Sequence, residues 1–316
     1  MKQTAISVVI TLAFSATMQS TPAQAQLSHT AVSAVRGRDA NNCSVTRPCR
    51  TFQAAHNRTN DQGEITVLDP GDYGAVTITK SISIVNGGVG EASILVSGGA
   101  TGITINAGAS GSVNLRGITI QGTASGGGTG LRFNSGLHLT MTNCVIRNHT
   151  ADGLEFAPTD LNRHNLSISN TLVAENGAHG IHVHSTSGGE PRIKATFNRV
   201  EVYGNSRDGI FLNGSSSAAL IAGTAEATVS AGNGQSGFSI DAELSLAAVS
   251  LIVVRSVSSS NHFGFNASGA FILVGQSTVV DNQAGASTGN VVSFGDNYSV
   301  NNAGSGDGFS ATRGKN

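Results

Sequence analysis

The sequence contains no tryptophan, only five prolines and three cysteines, and few charged residues, which make up 12% of its 316 positions. Its 18 basic and 19 acidic side chains leave a net charge of −1, so the chain lacks the basic surface with which proteins bind phosphate backbones. A low charge content can accompany disorder, but apolar residues account for 39% of this chain and are regularly spaced. The composition predicts an ordered domain and argues against nucleic acid as a partner.

Apolar runs long enough to cross a bilayer, about 18 to 20 residues, are also missing. The first 25 residues carry one early cation, Lys2, a short apolar run over 5–16, and the small-x-small sequence that ends at Ala25. These features are typical of a secretory signal peptide. We expect cleavage after Ala25 and a mature protein that is secreted or periplasmic, with no transmembrane segment.

The three cysteines divide into a close pair and a single residue. Cys43 and Cys49 lie six residues apart, and in an exported chain this proximity predicts a disulfide. The alternative is two free thiols, since the spacing matches no zinc motif. Cys144 lies within a repeat and is expected to be a small buried apolar residue.

One pattern recurs along most of the chain: an asparagine every 28 or 29 residues, followed shortly by a glycine. The asparagines are Asn148, Asn176, Asn205, Asn233 and Asn261, and the glycines are Gly153, Gly180, Gly209, Gly237 and Gly264. Apolar residues alternate after each glycine, which indicates a strand with one buried face. Most units contain two more short apolar segments, so three strands close one coil. The repeat predicts an all-β, right-handed parallel β-helix of about nine to ten coils, with each asparagine stacked on the next.

The open ends of such a stack would pair with other chains unless they are covered. The segment from Thr51 to Ala55 reads as a short helix that caps the N-terminal end. We therefore divide the chain into a signal peptide (1–25), an N-terminal arm with the disulfide (26–50), one β-helix domain with its cap (51–303) and a polar C-terminal tail (304–316).

The segment from Cys49 to Ile84 carries a resemblance to a known superfamily. It contains Cys-Arg-Thr-Phe-Gln-Ala-Ala, then Asp-Pro-Gly-Asp-Tyr-Gly, then Ile-Thr-Lys-Ser-Ile-Ser-Ile. This segment resembles the capping region of pectin-lyase-like right-handed β-helix proteins, and with the repeats the resemblance covers about 43–303. The superfamily includes pectate lyases, polygalacturonases, alginate epimerases, phage tailspikes and adhesins. In its sugar-active members the substrate lies along one solvent-facing sheet, so the resemblance implies a polysaccharide or glycan partner.

The strand that follows each glycine resembles that sheet, and the repeat aligns its residues into two columns. The residues before the glycines are Thr129, Asp152, His179, Asp208 and Ser236. The residues two positions after them are Arg132, Glu155, His182, Phe211 and Ser239. This alignment predicts a polar, titratable patch on consecutive rungs.

The catalytic candidates in this patch are Asp152, His179 and Asp208. Two rungs separate the carboxylates by about 9.6 Å, near the upper end of the roughly 6.5 to 9.5 Å expected for an inverting glycosidase. His179 would then position a sugar hydroxyl or tune a carboxylate. The alternative is ordinary turn chemistry, which often places Asp before Gly. The Asn-Thr-Asp and paired Asp-Asp motifs of polygalacturonases are absent.

The substrate-binding candidates are Arg132, Glu155, His182, Arg163 and Phe211. Phe211 is the only clear aromatic platform for a sugar, and an arginine could pair with an acidic sugar. His182 and His184 alternate onto one strand face beside Glu155, as a metal-ligand pair would. Exposed histidines on a polar face are commoner, so we assign no metal site and no cofactor.

Three functions fit these observations. The first is a carbohydrate-active enzyme, either a hydrolase or a lyase; the second is a non-catalytic carbohydrate-binding module; the third is a structural or adhesive extracellular protein. Incomplete catalytic motifs weaken the first, and few aromatic residues weaken the second. The sequence predicts a secreted β-helix protein that binds or processes polysaccharide, and it leaves open whether the protein is an enzyme.

Overall fold

A computed structural model describes residues 27–123, 126–187, 189–215, 219–242, 248–304 and 308–314. The predicted signal peptide lies outside these ranges. Within them the chain forms one helix, α1 (Phe52–Arg58), and otherwise short strands. The strands are β1 (Leu27–Val32), β2 (Thr59–Val67), β3 (Gly71–Asp72), β4 (Val76–Ile78), β5 (Ile82–Val85), β6 (Ala92–Val96), β7 (Ile103–Asn106), β8 (Ser112–Arg116), β9 (Ile118–Gly122), β10 (Leu131–Ser135), β11 (His138–Thr142), β12 (Val145–Arg147), β13 (Leu154–Phe156), β14 (Arg163–Ala174), β15 (Ile181–His184), β16 (Arg192–Tyr203), β17 (Ile210–Asn213), β18 (Leu220–Glu226), β19 (Val229–Ala231), β20 (Ser236–Asp241), β21 (Ala248–Val254), β22 (Val257–Ser259), β23 (Phe263–Gly275), β24 (Thr278–Val280), β25 (Gly285–Ser293), β26 (Tyr298–Val300) and β27 (Ala311–Thr312).

The strands stack in parallel into three sheets that wind around one core. The first sheet holds β4, β7, β10, β13, β15, β17, β20 and the opening parts of β23 and β25. The second runs from β1 and β2 through β5, β8, β11, β14, β16, β18, β21, β23 and β25 to β27. The third holds β3, β6, β9, β12, parts of β14 and β16, and β19, β22, β24 and β26. The predicted parallel β-helix with three strands per coil is confirmed.

The core consists of apolar side chains that point inward at every second position and stack on the same residue of the next coil. Leu131, Leu154, Ile181 and Ile210 form one such column in the first sheet and are fully buried. Each buried side chain of this kind stabilises the fold by roughly 1.5 to 3 kcal/mol. Because one coil cannot bury these groups alone, the stacking of coils holds the fold together.

The predicted asparagine ladder is present, but its limits differ from the prediction. The amide of Asn176 donates to Oδ1 of Asn205 at 2.8 Å, and the same bond links each later member to the next. The ladder continues beyond Asn261 to Asn282 and Asn302. Asn282 follows Asn261 by 21 residues and Asn302 follows Asn282 by 20, because the last coils are shorter.

Asn148 was wrongly placed in this ladder. It adopts a left-handed conformation with φ 62°, one residue before the ladder position. His149 occupies that position instead, and its backbone nitrogen donates to Oδ1 of Asn176 at 3.2 Å. The coil between them is 27 residues long, so a strict spacing of 28 lands one residue early.

The predicted capping helix is confirmed and continues to Arg58. The hydroxyl of Thr51 accepts a hydrogen bond from the backbone nitrogen of Ala54 at 3.2 Å, which satisfies one of the free donors at the helix start. Phe52 packs on Tyr73 with ring centroids 5.0 Å apart. The helix therefore covers the apolar end of the core.

Both ends of the β-helix extend further than we expected. Strand β1 pairs with β2, so 27–32 form a rung of the second sheet rather than an arm, because β1 gives hydrogen-bond partners to the otherwise open edge of β2. Cys43 and Cys49 form a disulfide just after this strand, and both are buried. At the other end, β27 pairs with β25 and draws part of the expected tail into the sheet. Cys144 is buried, as predicted.

Membrane-spanning helices were searched for across the described ranges, and none is long and apolar enough to qualify.

Candidate functional site

The two columns predicted from the repeat align in the first sheet. The backbone nitrogen of Gly153 donates to the carbonyl of His179 at 3.0 Å, and that of Gly180 donates to the carbonyl of Asp208 at the same distance. The second column pairs Arg132 with Glu155, then Glu155 with His182, then His182 with Phe211. Equivalent residues are therefore neighbours on consecutive rungs.

The glycine between the columns lies very close to the next rung. A Cβ atom on Gly180 would lie 2.7 Å from the carbonyl oxygen of Gly209 and 2.6 Å from Cγ1 of Val202. Only glycine lets the backbone pass this close to the next rung. The passage places His179 before the strand and His182 within it on one face of the molecule.

Six titratable side chains meet on this face, and we call them the histidine cluster: Asp152, Glu155, His179, His182, His184 and Asp208. Each makes at least one hydrogen bond or ion pair with another member. All six are largely buried at the side chain.

The first pair in the cluster joins the two columns. Nδ1 of His182 lies 3.1 Å from Oδ2 of Asp152, while Oδ1 of Asp152 accepts a hydrogen bond from the backbone nitrogen of His179 at 2.9 Å. Burial acts to raise the pKa of Asp152, but the hydrogen bonds from the His182 ring and from the backbone of His179 outweigh burial and lower the pKa. Burial lowers the pKa of His182, the hydrogen bond to Asp152 opposes this, and the neighbouring His184 lowers the pKa again. At neutral pH an ionised carboxylate thus faces a neutral imidazole.

The second pair lies one rung further. Nδ1 of His179 is 3.2 Å from Oδ2 of Asp208 and 3.3 Å from the backbone nitrogen of Asp208, so Asp208 occupies this ring nitrogen in either tautomer. Oδ1 of Asp208 accepts a hydrogen bond from the backbone nitrogen of Ser236 at 2.9 Å. Asp152 and Asp208 therefore share a structural role: each satisfies a backbone donor on the following rung.

The third pair links Glu155 to His184 and Arg132. Oε1 of Glu155 lies 3.2 Å from Nε2 of His184 and 3.4 Å from a terminal nitrogen of Arg132. The hydrogen bond from His184 lowers the pKa of Glu155, burial opposes this, and the charge of Arg132 lowers it again. Arg132 is 45% exposed, so it holds Glu155 from the solvent side.

The rings of the cluster stack on one another and on Phe211. The His182 and Phe211 rings are 5.1 Å apart at an angle of 12°, and the His182 and His184 rings are 4.3 Å apart at 26°. The His179 ring lies 4.9 Å from both His182 and Phe211. The result is a stack of rings with carboxylates beside it.

The structure brings together all the predicted site residues except Arg163. Arg163 begins β14, where it pairs with Arg192 in the second sheet and is exposed. It lies after the excursion between β13 and β14, whose course depends on tertiary packing that the repeat does not encode. Arg163 is not part of the column that holds Arg132, Glu155, His182 and Phe211.

Candidate metal ligands are also brought together, in a set that the sequence analysis did not assign. One ligand atom from each of Asp152, His179 and His182 lies within 4.8 Å of the others. The metal-ligand set considered from the sequence consisted of His182, His184 and Glu155. In the structure His184 and Glu155 hydrogen-bond to each other instead. The repeat pairs residues along a column, and the contact of Asp152 with His182 crosses between columns.

The arrangement offers less to a two-carboxylate hydrolase than the sequence suggested. Such an enzyme needs one acid with a raised pKa. The pKa of Asp152 is lowered instead, and both carboxylates accept backbone hydrogen bonds. The site presents a stack of rings, ionised acceptors and neutral imidazole.

Comparison with known proteins identifies the fold. Residues 64–203 match a family model described as a domain of unknown function (DUF4957), which is less than half of the chain. No curated protein matches the sequence. Among solved structures the chain is similar to pectate lyase Pel9A, with a TM-score of 0.62 and 19% identity over 89% of this chain and 79% of that one. It is also similar to the A-module of mannuronan C-5 epimerase AlgE4 from Azotobacter vinelandii, with a TM-score of 0.56 and 18% identity over 74% of this chain and 67% of that one. These likenesses confirm a right-handed parallel β-helix, as predicted.

Proposed function

We propose that this protein binds a polysaccharide along the outer face of the first sheet, across the histidine cluster and Phe211. The observation that carries the proposal is the stack of the His182 and Phe211 rings, which spans two rungs beside Glu155 and Arg132. The two similar structures act, by their names, on pectate and on mannuronan. Their likeness to this chain concerns the fold, so it supports the class of ligand without identifying it.

The chemistry of the face suits a sugar chain. A pyranose offers an apolar C–H face and a rim of hydroxyl groups, so it needs a flat ring and a few well-placed polar groups. The Phe211 ring, which follows His182 in the stack, supplies the apolar surface. Glu155 supplies an acceptor for hydroxyl groups, and the exposed Arg132 supplies donors. Repeated rungs give a long, regular surface that matches the repeat of a polymer.

Turnover of the bound chain is the second candidate, and the Asp152–His182 pair favours it. An ionised carboxylate that holds a neutral imidazole is an arrangement used for proton transfer. A hydrolase or lyase, which is one of the functions that the sequence left open, would use this pair rather than two free carboxylates. Release of reducing ends or unsaturated products would demonstrate turnover, and loss of that release in Asp152→Asn would assign it to the pair.

We also propose that the protein is exported. The predicted signal peptide and the disulfide between Cys43 and Cys49 support this, because disulfides persist in oxidising compartments. Cell fractionation with an antibody to the folded domain tests the proposal, and recovery from the cytoplasm alone would contradict it.

The decisive experiment for ligand binding compares wild type with Phe211→Ala on pectate, alginate and neutral glycans, by affinity electrophoresis and calorimetry. We expect wild type to bind at least one of them and Phe211→Ala to bind about tenfold more weakly, or roughly 1.4 kcal/mol, because the face loses the apolar ring that contacts the sugar.

Phe271→Ala is the matched control, since Phe271 is a 49% exposed phenylalanine on the second sheet. It should bind as wild type does. Equal binding by Phe211→Ala and wild type would contradict the proposal that the first sheet is the binding face. If the wild type binds none of the glycans, the result would favour the structural or adhesive function.

A further inference from the structure

We propose that Asp152, His179 and His182 bind one divalent transition-metal ion, with Zn²⁺ as the representative ion, on the outer face of the first sheet. Their ligand atoms already lie within 4.8 Å of one another. The proposal does not depend on polysaccharide binding, because the ligands and their support are all part of this chain.

The distances are close to those of a bound site. Zinc holds imidazole nitrogen and carboxylate oxygen at about 2.0 to 2.2 Å in a tetrahedral arrangement, which places neighbouring ligand atoms about 3.3 Å apart. Oδ2 of Asp152 and Nδ1 of His182 are 3.1 Å apart. The ligand atom of His179 lies within 4.8 Å of the other two.

Asp208 supports the three proposed ligands as a carboxylate often supports a metal-binding histidine, by accepting a hydrogen bond from the ring nitrogen that does not bind the metal. Oδ2 of Asp208 lies 3.2 Å from Nδ1 of His179. When Nδ1 of His179 carries the ring proton and donates it to Asp208 in a hydrogen bond, Nε2 of the same ring has the free lone pair that a metal needs. Asp208 is itself fixed by the backbone nitrogen of Ser236, so the histidine is held from a rigid strand.

His182 would bind through Nδ1, the ring nitrogen that faces Oδ2 of Asp152 at 3.1 Å. Its other ring nitrogen, Nε2, is buried and has no hydrogen-bond partner among the residues that the structure describes. Nε2 would carry the ring proton and is not one of the ligand atoms.

The donor set favours a transition metal over calcium. Two imidazoles and one carboxylate match the nitrogen and oxygen donors of zinc sites, in which three protein ligands leave a fourth position open. Calcium instead takes six to eight oxygen ligands. The face is partly accessible at Asp152 and His182, so the open position would point toward the solvent and any bound sugar.

The test measures metal binding on the whole protein without any glycan. Protein stripped with a chelator is dialysed against Zn²⁺ for stoichiometry and titrated by calorimetry for affinity. We expect one Zn²⁺ per chain in wild type and none at this site in His179→Ala/His182→Ala. Asp208→Asn should keep the stoichiometry and lose about 10- to 100-fold in affinity, the usual effect of removing a supporting carboxylate.

His138→Ala is the matched control, because His138 is an exposed histidine in β11 of the second sheet. It should bind Zn²⁺ as wild type does. Circular dichroism checks that each variant is folded, and Zn²⁺ should raise the Tm of wild type but not of the double variant.

Three outcomes would each overturn the proposal: equal Zn²⁺ uptake by wild type and the folded double variant, equal loss in His138→Ala, or displacement of Zn²⁺ by an equal concentration of Ca²⁺. Because no glycan is present, any of these results leaves polysaccharide binding untouched, and failure of the glycan experiment leaves the metal site untouched.

Discussion

Removal of one asparagine from the middle of the ladder should destabilise the whole β-helix. Oδ1 of Asn233 accepts hydrogen bonds from the backbone nitrogen of Asn205 at 3.1 Å and from its amide at 2.9 Å. The amide of Asn233 donates to Oδ1 of Asn261 at 3.0 Å. Asn233 is buried, so no water is at hand to replace these bonds.

The size of the effect follows from the donors that Asn233→Ala leaves behind. The backbone nitrogen of Asn205 loses its acceptor, and the amide of Asn205 keeps only a 3.5 Å bond to the carbonyl of Val173. Each buried group without a partner costs about 1 to 3 kcal/mol. We therefore expect the free energy of unfolding to fall by about 2 to 5 kcal/mol. Denaturation by guanidinium chloride, followed by far-UV circular dichroism, measures it.

Asn134→Ala is the matched control. The amide of Asn134 donates to Oδ1 of Asn106 at 2.9 Å, so it is also an asparagine stacked on an asparagine, but this pair is exposed to solvent. Its loss should cost no more than about 0.5 kcal/mol. If Asn233→Ala and Asn134→Ala destabilise the protein equally, the buried ladder does not hold the coils together and the reasoning is refuted.

Two further predictions concern the cap and the glycine beside the cluster. Burial lowers the pKa of His56, whose Nε2 accepts a hydrogen bond from the backbone nitrogen of Thr79, so the unfolded state binds this proton more readily. The stability that His56 contributes is present above about pH 6.5 and is lost as the pH falls toward the lower folded-state pKa. The Tm of wild type should therefore drop more than that of His56→Gln on acidification, and parallel curves would contradict this. Gly180→Ala should lower the free energy of unfolding by about 1 to 3 kcal/mol through overcrowding, measured in the same denaturation assay. Gly87→Ala is the control and should be close to neutral, because a Cβ there meets nothing within 4 Å. Equal effects of the two substitutions would show that the close approach at Gly180 is not needed.

The repeat made much of the site predictable because a β-helix converts sequence spacing into contact. Residues one coil apart pair across adjacent strands, so Glu155 lies beside His182 and His182 beside Phe211, as the spacing indicated. The capping helix was readable from local chemistry, since Thr51 is followed by residues that suit a helix. These relations depend only on the chain near each residue and on one period.

Other relations depend on departures from that period. Asn282 belongs to the ladder although its coil is seven or eight residues shorter than the others, and His149 replaces Asn148 because its coil is one residue shorter than 28. A fixed spacing cannot identify them. The ladder is recognised only when the hydrogen bonds are seen.

The amino-acid sequence by itself determined the fold, the direction of the strands and the two columns of polar residues, because apolar alternation and turn residues repeat in every coil. Only the tertiary structure decided which members of the columns touch. Asp152 and His182 meet across the columns, and the excursion after β13 carries Arg163 to another sheet. Side-chain contacts between rungs depend on backbone curvature and rotamers, which the spacing of residues along the chain does not specify.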